Sequence, residues 1–230
     1  GFSNREGLRS YIGRVNYTAF SKYLFEANFR VDGSSKFLDG HRFGFFPSVA
    51  VGWRFTEEDF MNGIMGNWLS SGKLRLSYGT LGNNSGVGRY EQLSTLAAFS
   101  YYLGTTVQRG FINSKLINPD LSWEETRALN LGLELAFFNS RLTAEIDVYE
   151  RKTTGMLRPQ TLSDLISGAY SAPRANLGEM RNRGIEGTFS WKDNVGRINY
   201  GLTLNVSYNM SRLLKSNDLL TRTSDIGGSK

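Results

Sequence analysis

The sequence predicts an all-β fold of about eight strands in four hairpins, a segment of an antiparallel transmembrane β-barrel. Apolar and polar residues alternate with period two in repeated segments of about ten residues, the pattern of strands with one apolar face. Every second connection is short and the others run long, as in barrels with tight turns at one end and large loops at the other. Aromatic residues gather at both strand ends with aliphatic residues between them, the spacing of two interfacial girdles. A soluble sandwich shares the alternation but has no reason for the girdles.

Composition agrees. The 230 residues include 26 Gly, 15 Phe, 11 Tyr and 4 Trp but only 4 Pro, a mix that favours strands joined by turns. Mean hydropathy is −0.34, and no run approaches the roughly 18 apolar residues that a spanning helix needs. Barrel strands tolerate such modest hydropathy because only alternate residues face lipid.

The first strand, Arg9 to Phe20, sets Tyr11, Gly13, Val15, Tyr17 and Ala19 against Ser10, Arg14, Asn16 and Thr18. After a break at Ser21-Lys22, the second places Tyr23, Phe25, Ala27, Phe29 and Val31 opposite Glu26, Asn28, Arg30 and Asp32. The third runs from Pro47 to Phe55, with Pro47 expected to open it because proline cannot donate to a ladder. Glu57 to Leu69 reads as a short helical connector with acidic residues in its first turn. Leu74, Leu76 and Tyr78 mark the fourth strand, and Thr80 to Leu121 reads as a long loop. Leu129 to Phe137 and Leu142 to Tyr149 form the next hairpin around Asn139-Ser140. A loop from Thr154 to Glu179 leads to Ile185–Trp191, a turn near Asp193-Asn194, and a last strand over Tyr200–Tyr208.

The chemistry is as informative for what it lacks. With no Cys and a single His41, beside Arg42, there are no parts for a zinc site or a Ser-His-Asp triad. The net charge is +6, yet no run of five Lys/Arg occurs, so the surplus reads as scattered loop and lumen charge rather than a nucleic-acid interface. Gly79, Gly82, Gly86 and Gly88 lack the Gly-Lys-Ser/Thr ending of a phosphate loop. Glu145 and Asp147 share a strand face, but on a wet wall they read as solvated charges rather than a glycosidase pair. No catalytic, cofactor or metal residues are therefore assigned. Arg14, Glu26, Arg30, Glu134, Glu145 and Asp147 are the candidates for lining a lumen, facing substrate, a plug or water. Tyr90, Tyr101 and Tyr102, with Phe99 and Phe111, are the loop candidates, either stacking on sugar rings, packing a partner, or forming the loop's own core.

Several runs resemble one family in order. Arg30-Val31-Asp32-Gly33-Ser34-Ser35-Lys36-Phe37 resembles the strand-and-loop signature of SusC/RagA-like TonB-dependent outer-membrane transporters. Arg42 to Arg54 looks like the family's next strand, and Leu74-Arg75-Leu76-Ser77-Tyr78-Gly79 through Asn83 is similar to its following motif. Asn118-Pro119-Asp120-Leu121-Ser122-Trp123-Glu124, then Asn130-Leu131-Gly132-Leu133, Asp147 to Thr154, and Asn176 to Glu186 continue in family order.

The resemblance implies a large barrel of about twenty-two strands with a plugged lumen, of which these eight are roughly a third. It implies a bacterial outer-membrane importer of glycan oligosaccharides or peptides, working beneath a SusD-like surface lipoprotein. Energy would come from the TonB complex through the plug, with outer-membrane lipid outside and no cofactor. Neither end reads as a natural terminus, and residues 1–230 are expected to be a partial barrel domain without plug or closing strand. If long loops face outward, Ser35 lies at the cell surface and Asn194 on the periplasmic side. The competing readings are a secreted all-β carbohydrate-binding or hydrolytic domain, or a passive porin.

Overall fold

A computed structural model describes residues 5–63, 65, 68–113, 115–159 and 173–216. Among them are β1 (Leu8–Ala19), β2 (Tyr23–Ser34), β3 (Phe43–Trp53), β4 (Leu69–Asn83) and β5 (Leu96–Leu103). They continue as β6 (Thr106–Asn113), β7 (Glu124–Phe137), β8 (Leu142–Pro159), β9 (Arg174–Val195) and β10 (Ile198–Lys215). Eight strands form one antiparallel sheet in the order β1-β2-β3-β4-β7-β8-β9-β10, and β5 pairs with β6 in a separate two-stranded sheet.

The register turns the alternation into two faces. Tyr17, Phe25, Val51, Leu76, Leu131, Val148, Ile185 and Tyr208 stand directly opposite one another, one from each strand of the sheet. The adjacent row is Asn16, Glu26, Ala50, Ser77, Asn130, Tyr149, Gly184 and Asn209. The first row faces one side of the sheet and the second the other, because neighbouring residues in a strand point oppositely. Every member of the apolar row is 42–64% exposed. A contiguous apolar band of this extent, uncovered by protein, needs a non-aqueous neighbour.

The short connections of the eight-stranded sheet lie at one end. In the β1–β2 turn the Lys22 N–H donates to the Ala19 carbonyl at 3.0 Å around Phe20 and Ser21, both at positive φ. Two successive positive-φ residues give the turn a twist that matches its strands. The turn therefore sits one residue earlier than expected. The β9–β10 turn falls at Gly196-Arg197, later than expected, so Asn194 pairs with Asn199 inside the ladder. Between β3 and β4 the expected helical connector is instead a pair of 3-10 turns, Phe55–Glu57 and Asp59–Met61. The remainder of that connector, at 64, 66 and 67, lies outside the described residues. Glu58 ties this end together, accepting from Tyr23 Oη at 2.6 Å, Trp53 Nε1 at 3.1 Å and Lys22 Nζ at 3.1 Å. The hydrogen bonds from Tyr23, Trp53 and Lys22 hold its carboxyl below the usual carboxylate range.

At the other end three expectations are corrected. Thr80 to Leu121 is not all loop: β4 runs on to Asn83 and the β5–β6 hairpin follows. Leu96–Leu103 carries apolar residues on both faces, so it lacks the alternation that marks the wall strands. Thr154 to Glu179 is likewise shortened by the extensions of β8 and β9, where polar residues occupy both faces; the middle of that loop lies outside the described residues. Pro47 does not open β3 but sits within it, opposite Phe29. The β3–β4 ladder begins only at Ser48, and the Pro47 carbonyl accepts from Thr80 Oγ1 at 3.3 Å, so the missing N–H falls where no ladder bond is due.

Ala27 lies between Val15 and Val49 on the apolar face, and Asn28 lies between Arg14 and Ser48 on the polar face. In the full-length protein, Ala27→Arg should lower folding stability by about 2–4 kcal/mol and Asn28→Arg by less than about 1 kcal/mol. Denaturant titration of the two variants in lipid vesicles checks the register; equal losses would show the faces to be mixed, and a larger loss for Asn28→Arg would show them reversed.

Candidate functional site

The polar face carries two groups of side chains. On β1–β3, Arg14 Nε donates to Asn28 Oδ1 at 2.6 Å, and Asn28 Nδ2 donates to Glu26 Oε1 at 2.7 Å. Arg30 pairs with Asp32 at 2.6 Å on the same strand. On β4, β7 and β8, Lys73 Nζ lies 3.0 Å from Glu134, and Arg75 Nη2 lies 2.7 Å from Glu145 and 3.3 Å from Asp147. Asn130 Nδ2 donates to Asp147 at 2.9 Å. The six lumen candidates thus share one face: Arg14 and Glu26 belong to one network, Glu134, Glu145 and Asp147 to another, and Arg30 is held by Asp32 beside the first. A shallow depression of about 270 Å³ over Ala50 and Gly52 separates the two networks.

Arg75 reaches its carboxylates by crossing β7. Its Cα partner there is Gly132, whose partner on β8 is Asp147. A Cβ on Gly132 would lie 2.9 Å from Arg75 Nη2 and 2.7 Å from Asp147 Oδ1. The glycine leaves the gap through which the guanidinium passes. Alternation along β4 places Lys73 and Arg75 on the polar face, but their ion pairs are not legible in the sequence, because the partners lie about sixty to seventy residues away and only the register reveals them. Below this network, towards the short turns, a groove of about 640 Å³ is lined by Arg54, Thr56, Lys73, Glu134, Glu145 and Ser190, among others.

The long-loop end holds the only hydrophobic core cluster among the described residues: Phe37, Val87 and Leu121, with Trp123 and Leu157 packed against it. Phe37 is 1% exposed, and its ring lies 5.3 Å from that of Trp123, which also meets Phe46 edge-on at 5.6 Å. Hydrogen bonds knit the surrounding loops: Asn84 Nδ2 to Ser34 Oγ at 3.0 Å, Trp123 Nε1 to the Arg42 carbonyl at 3.0 Å, and Asn118 Nδ2 to the Arg174 carbonyl at 3.0 Å. His41 sits here 3.9 Å from Asp120. Residues from the runs that carry the family resemblance therefore converge in one cap.

The loop tyrosines do not converge. Arg5 N donates to Tyr90 Oη at 3.2 Å, which makes Tyr90 a cap residue. Tyr101 and Tyr102 are consecutive on β5 and point to opposite faces of the hairpin. The Phe99 and Tyr101 rings lie 5.7 Å apart at a tilt of 32°, while Tyr102 and Phe111 are 77% and 72% exposed.

Residues 2–229 match the family described as TonB dependent receptor-like, beta-barrel. The chain belongs to that family. TonB-dependent receptors are outer-membrane transporters rather than enzymes, so the apolar face is the lipid face and the charged face lines the lumen. The TonB-dependent receptor P3 of Formosa agariphila is 34% identical over 218 residues, 94% of this chain and 21% of the relative. The TonB-dependent receptor SusC of Bacteroides thetaiotaomicron is 32% identical over 219 residues, 93% of this chain and 21% of the relative. The RagAB peptide importer in its open-open state is structurally similar, with a TM-score of 0.82 and 29% identity. That likeness covers 94% of this chain and 23% of the importer chain. This TonB-dependent barrel chain spans about a fifth of the length of the curated relatives it matches.

Arg75→Gln and Gly132→Val in the full-length receptor should each cost about 1–2 kcal/mol, between the values for exposed and buried ion pairs. Because both break the same crossing, the double variant should cost clearly less than the sum. Denaturant midpoints measure the cycle; strict additivity would mean the two residues act independently. Phe37→Ala should cost the cap about 3–5 kcal/mol. Amide exchange should rise around 34–42, 84–88 and 121–123 while the wall strands stay protected; unchanged protection there would remove Phe37 from the cap's support.

Proposed function

We propose that this chain is part of the wall of a SusC-like importer that takes up oligosaccharides or peptides beneath a SusD-like surface lipoprotein. The reading rests above all on the superposition with the RagAB peptide importer over 94% of the chain. Among the described residues β1 and β10 end the sheet with unpaired edges, which lipid cannot satisfy. Further strands of a longer protein would close the barrel, a plug would fill it, and the TonB complex would act through that plug.

In this arrangement Arg14, Glu26, Arg30, Glu134, Glu145 and Asp147 present mixed charge to the substrate path or the plug. Exposed Tyr102, Leu103 and Phe111 on the β5–β6 hairpin give the lipoprotein an apolar hold at the outer end. A two-stranded hairpin is marginal alone and gains most from a partner.

Uptake of fluorescent oligosaccharides and oligopeptides by cells lacking the full-length gene tests the proposal. One substrate class should be lost, restored by the wild-type gene, and abolished by a protonophore; uptake unaffected by deletion would overturn it. Removal of 96–113 should leave barrel in the membrane but reduce co-purification of the surface lipoprotein. Orientation is read with single cysteines, since the chain has none of its own. Asp39→Cys, whose native side chain is 90% exposed, should react with an impermeant maleimide on intact cells. Arg197→Cys should react only after the outer membrane is permeabilised.

A further inference from the structure

The β5–β6 hairpin stands apart from the wall. Its strands pair only with each other, and 8 residues per strand carry it about 25 Å from base to tip. An arm of that length turns a small rotation at its base into a large displacement of Tyr102 and Leu103 at its tip. What holds the base therefore decides where the tip lies.

The base runs through 88–95, just before β5, and ends at Asn113 and Lys115. Ser94 Oγ donates to Asn113 Oδ1 at 3.4 Å, and Lys115 Nζ lies 3.7 Å from Glu91, which close the base on itself. Gln92 Nε2 donates to the Ser35 carbonyl at 3.0 Å. Further ties run to residues 5–7, which lead into β1. Arg5 N donates to Tyr90 Oη at 3.2 Å, and Arg89 Nε lies 3.6 Å from Glu6. Gly7 is fixed in turn by Ser35: its N–H donates to the Ser35 hydroxyl at 2.9 Å, and its carbonyl accepts from the Ser35 N–H at 3.0 Å.

Glu6 joins these ties to the cap. One of its carboxylate oxygens faces Arg89, and the other lies 3.2 Å from Lys36 Nζ. The Lys36 side chain is only 10% exposed, and Glu6 is its one carboxylate partner among the described residues. Its ammonium also donates to the Asn84 carbonyl at 3.3 Å. A nearly buried ammonium needs a counter-charge, so this pair holds Glu6 more firmly than a surface pair would. Lys36 adjoins Phe37, and Arg89 lies two residues past Val87, both members of the core cluster.

We infer that Glu6 is the residue that positions the β5–β6 hairpin, fixing the arm to the cap through Arg89 and Lys36. The segment leading into β1 and the base of the hairpin then move as one body. The consequence for a partner rests on the reading above that the hairpin takes the surface lipoprotein. A fixed arm presents its apolar residues in one orientation and lowers the ordering cost of docking.

Spin labels at Thr105→Cys on the hairpin turn and Asn209→Cys on β10 read the arm by pulsed electron resonance, in an otherwise cysteine-free full-length receptor. With Glu6 intact, one narrow distance distribution is expected. Glu6→Gln should add a broad second component, and Asp59→Asn at the short-turn end should leave the distribution unchanged. Adding Lys36→Met to Glu6→Gln removes the stranded ammonium, so the denaturant midpoint should recover while the distribution stays broad. Recovery of both would reduce Glu6 to a role in stability and overturn the inference. So would a narrow distribution in Glu6→Gln, or a broad one in the wild type. Should Glu6→Gln fail to accumulate, the double variant carries the same comparison. Lipoprotein affinity should fall about fivefold in the double variant, for a freed hairpin that keeps the docking orientation about a fifth of the time. A broad distribution with unchanged affinity would sink the docking reading and leave the positioning of the arm intact.

Discussion

Hydrocarbon offers no partner for a backbone N–H or C=O, and the wall is organised around that constraint. Each strand of the eight-stranded sheet pairs with its neighbour in the chain order of the wall, so bonds are made along the length that meets lipid. Pro47 illustrates how strictly the rule applies. Its absent N–H is placed where the β3–β4 ladder has not begun, and the Thr80 hydroxyl serves the carbonyl on that side. Irregular backbone is confined to the two ends, where water can reach it.

A wall one strand thick has no interior, so its stability is distributed unusually. The apolar row from Tyr17 to Tyr208 is covered by lipid rather than protein, and the hydrophobic core cluster sits in the outer cap. This explains what several family-like runs are for. Phe37, Leu121 and Trp123 build the cap, Asn83 donates to Glu124 across two of those runs at 3.3 Å, and Gly132 opens the path for Arg75. These residues shape the mouth and brace the wall, and the exposed hairpin is carried above them.

On the lumen side, charge is neutralised mostly by cross-strand pairing. Glu134, Glu145 and Asp147 are all drawn to Arg75, which lowers the cost of placing three carboxylates close together on a narrow wall. Arg14 and Glu26 are joined through Asn28 in a looser arrangement. The two networks give the lumen surface a mixed rather than single sign.

The sequence by itself determined the strand faces, the hairpin order and the two unequal ends, because a period of two admits only one assignment of lipid and lumen sides. Val15, Ala27 and Val49 were legible as one apolar set, and Glu145 and Asp147 as one polar set, from spacing alone. Strand limits beyond the membrane were not legible, since β8 and β9 there meet water on both faces and lose the alternation. The β5–β6 hairpin escaped notice for the opposite reason, having apolar residues on both sides. Only the tertiary structure decided the contacts. Arg75 meets Asp147, Trp123 meets Phe37, and Arg181 faces both Lys152 and Arg212 because of a register between strands far apart in the chain. Register is set by the whole sheet, so no local pattern in the sequence encodes it.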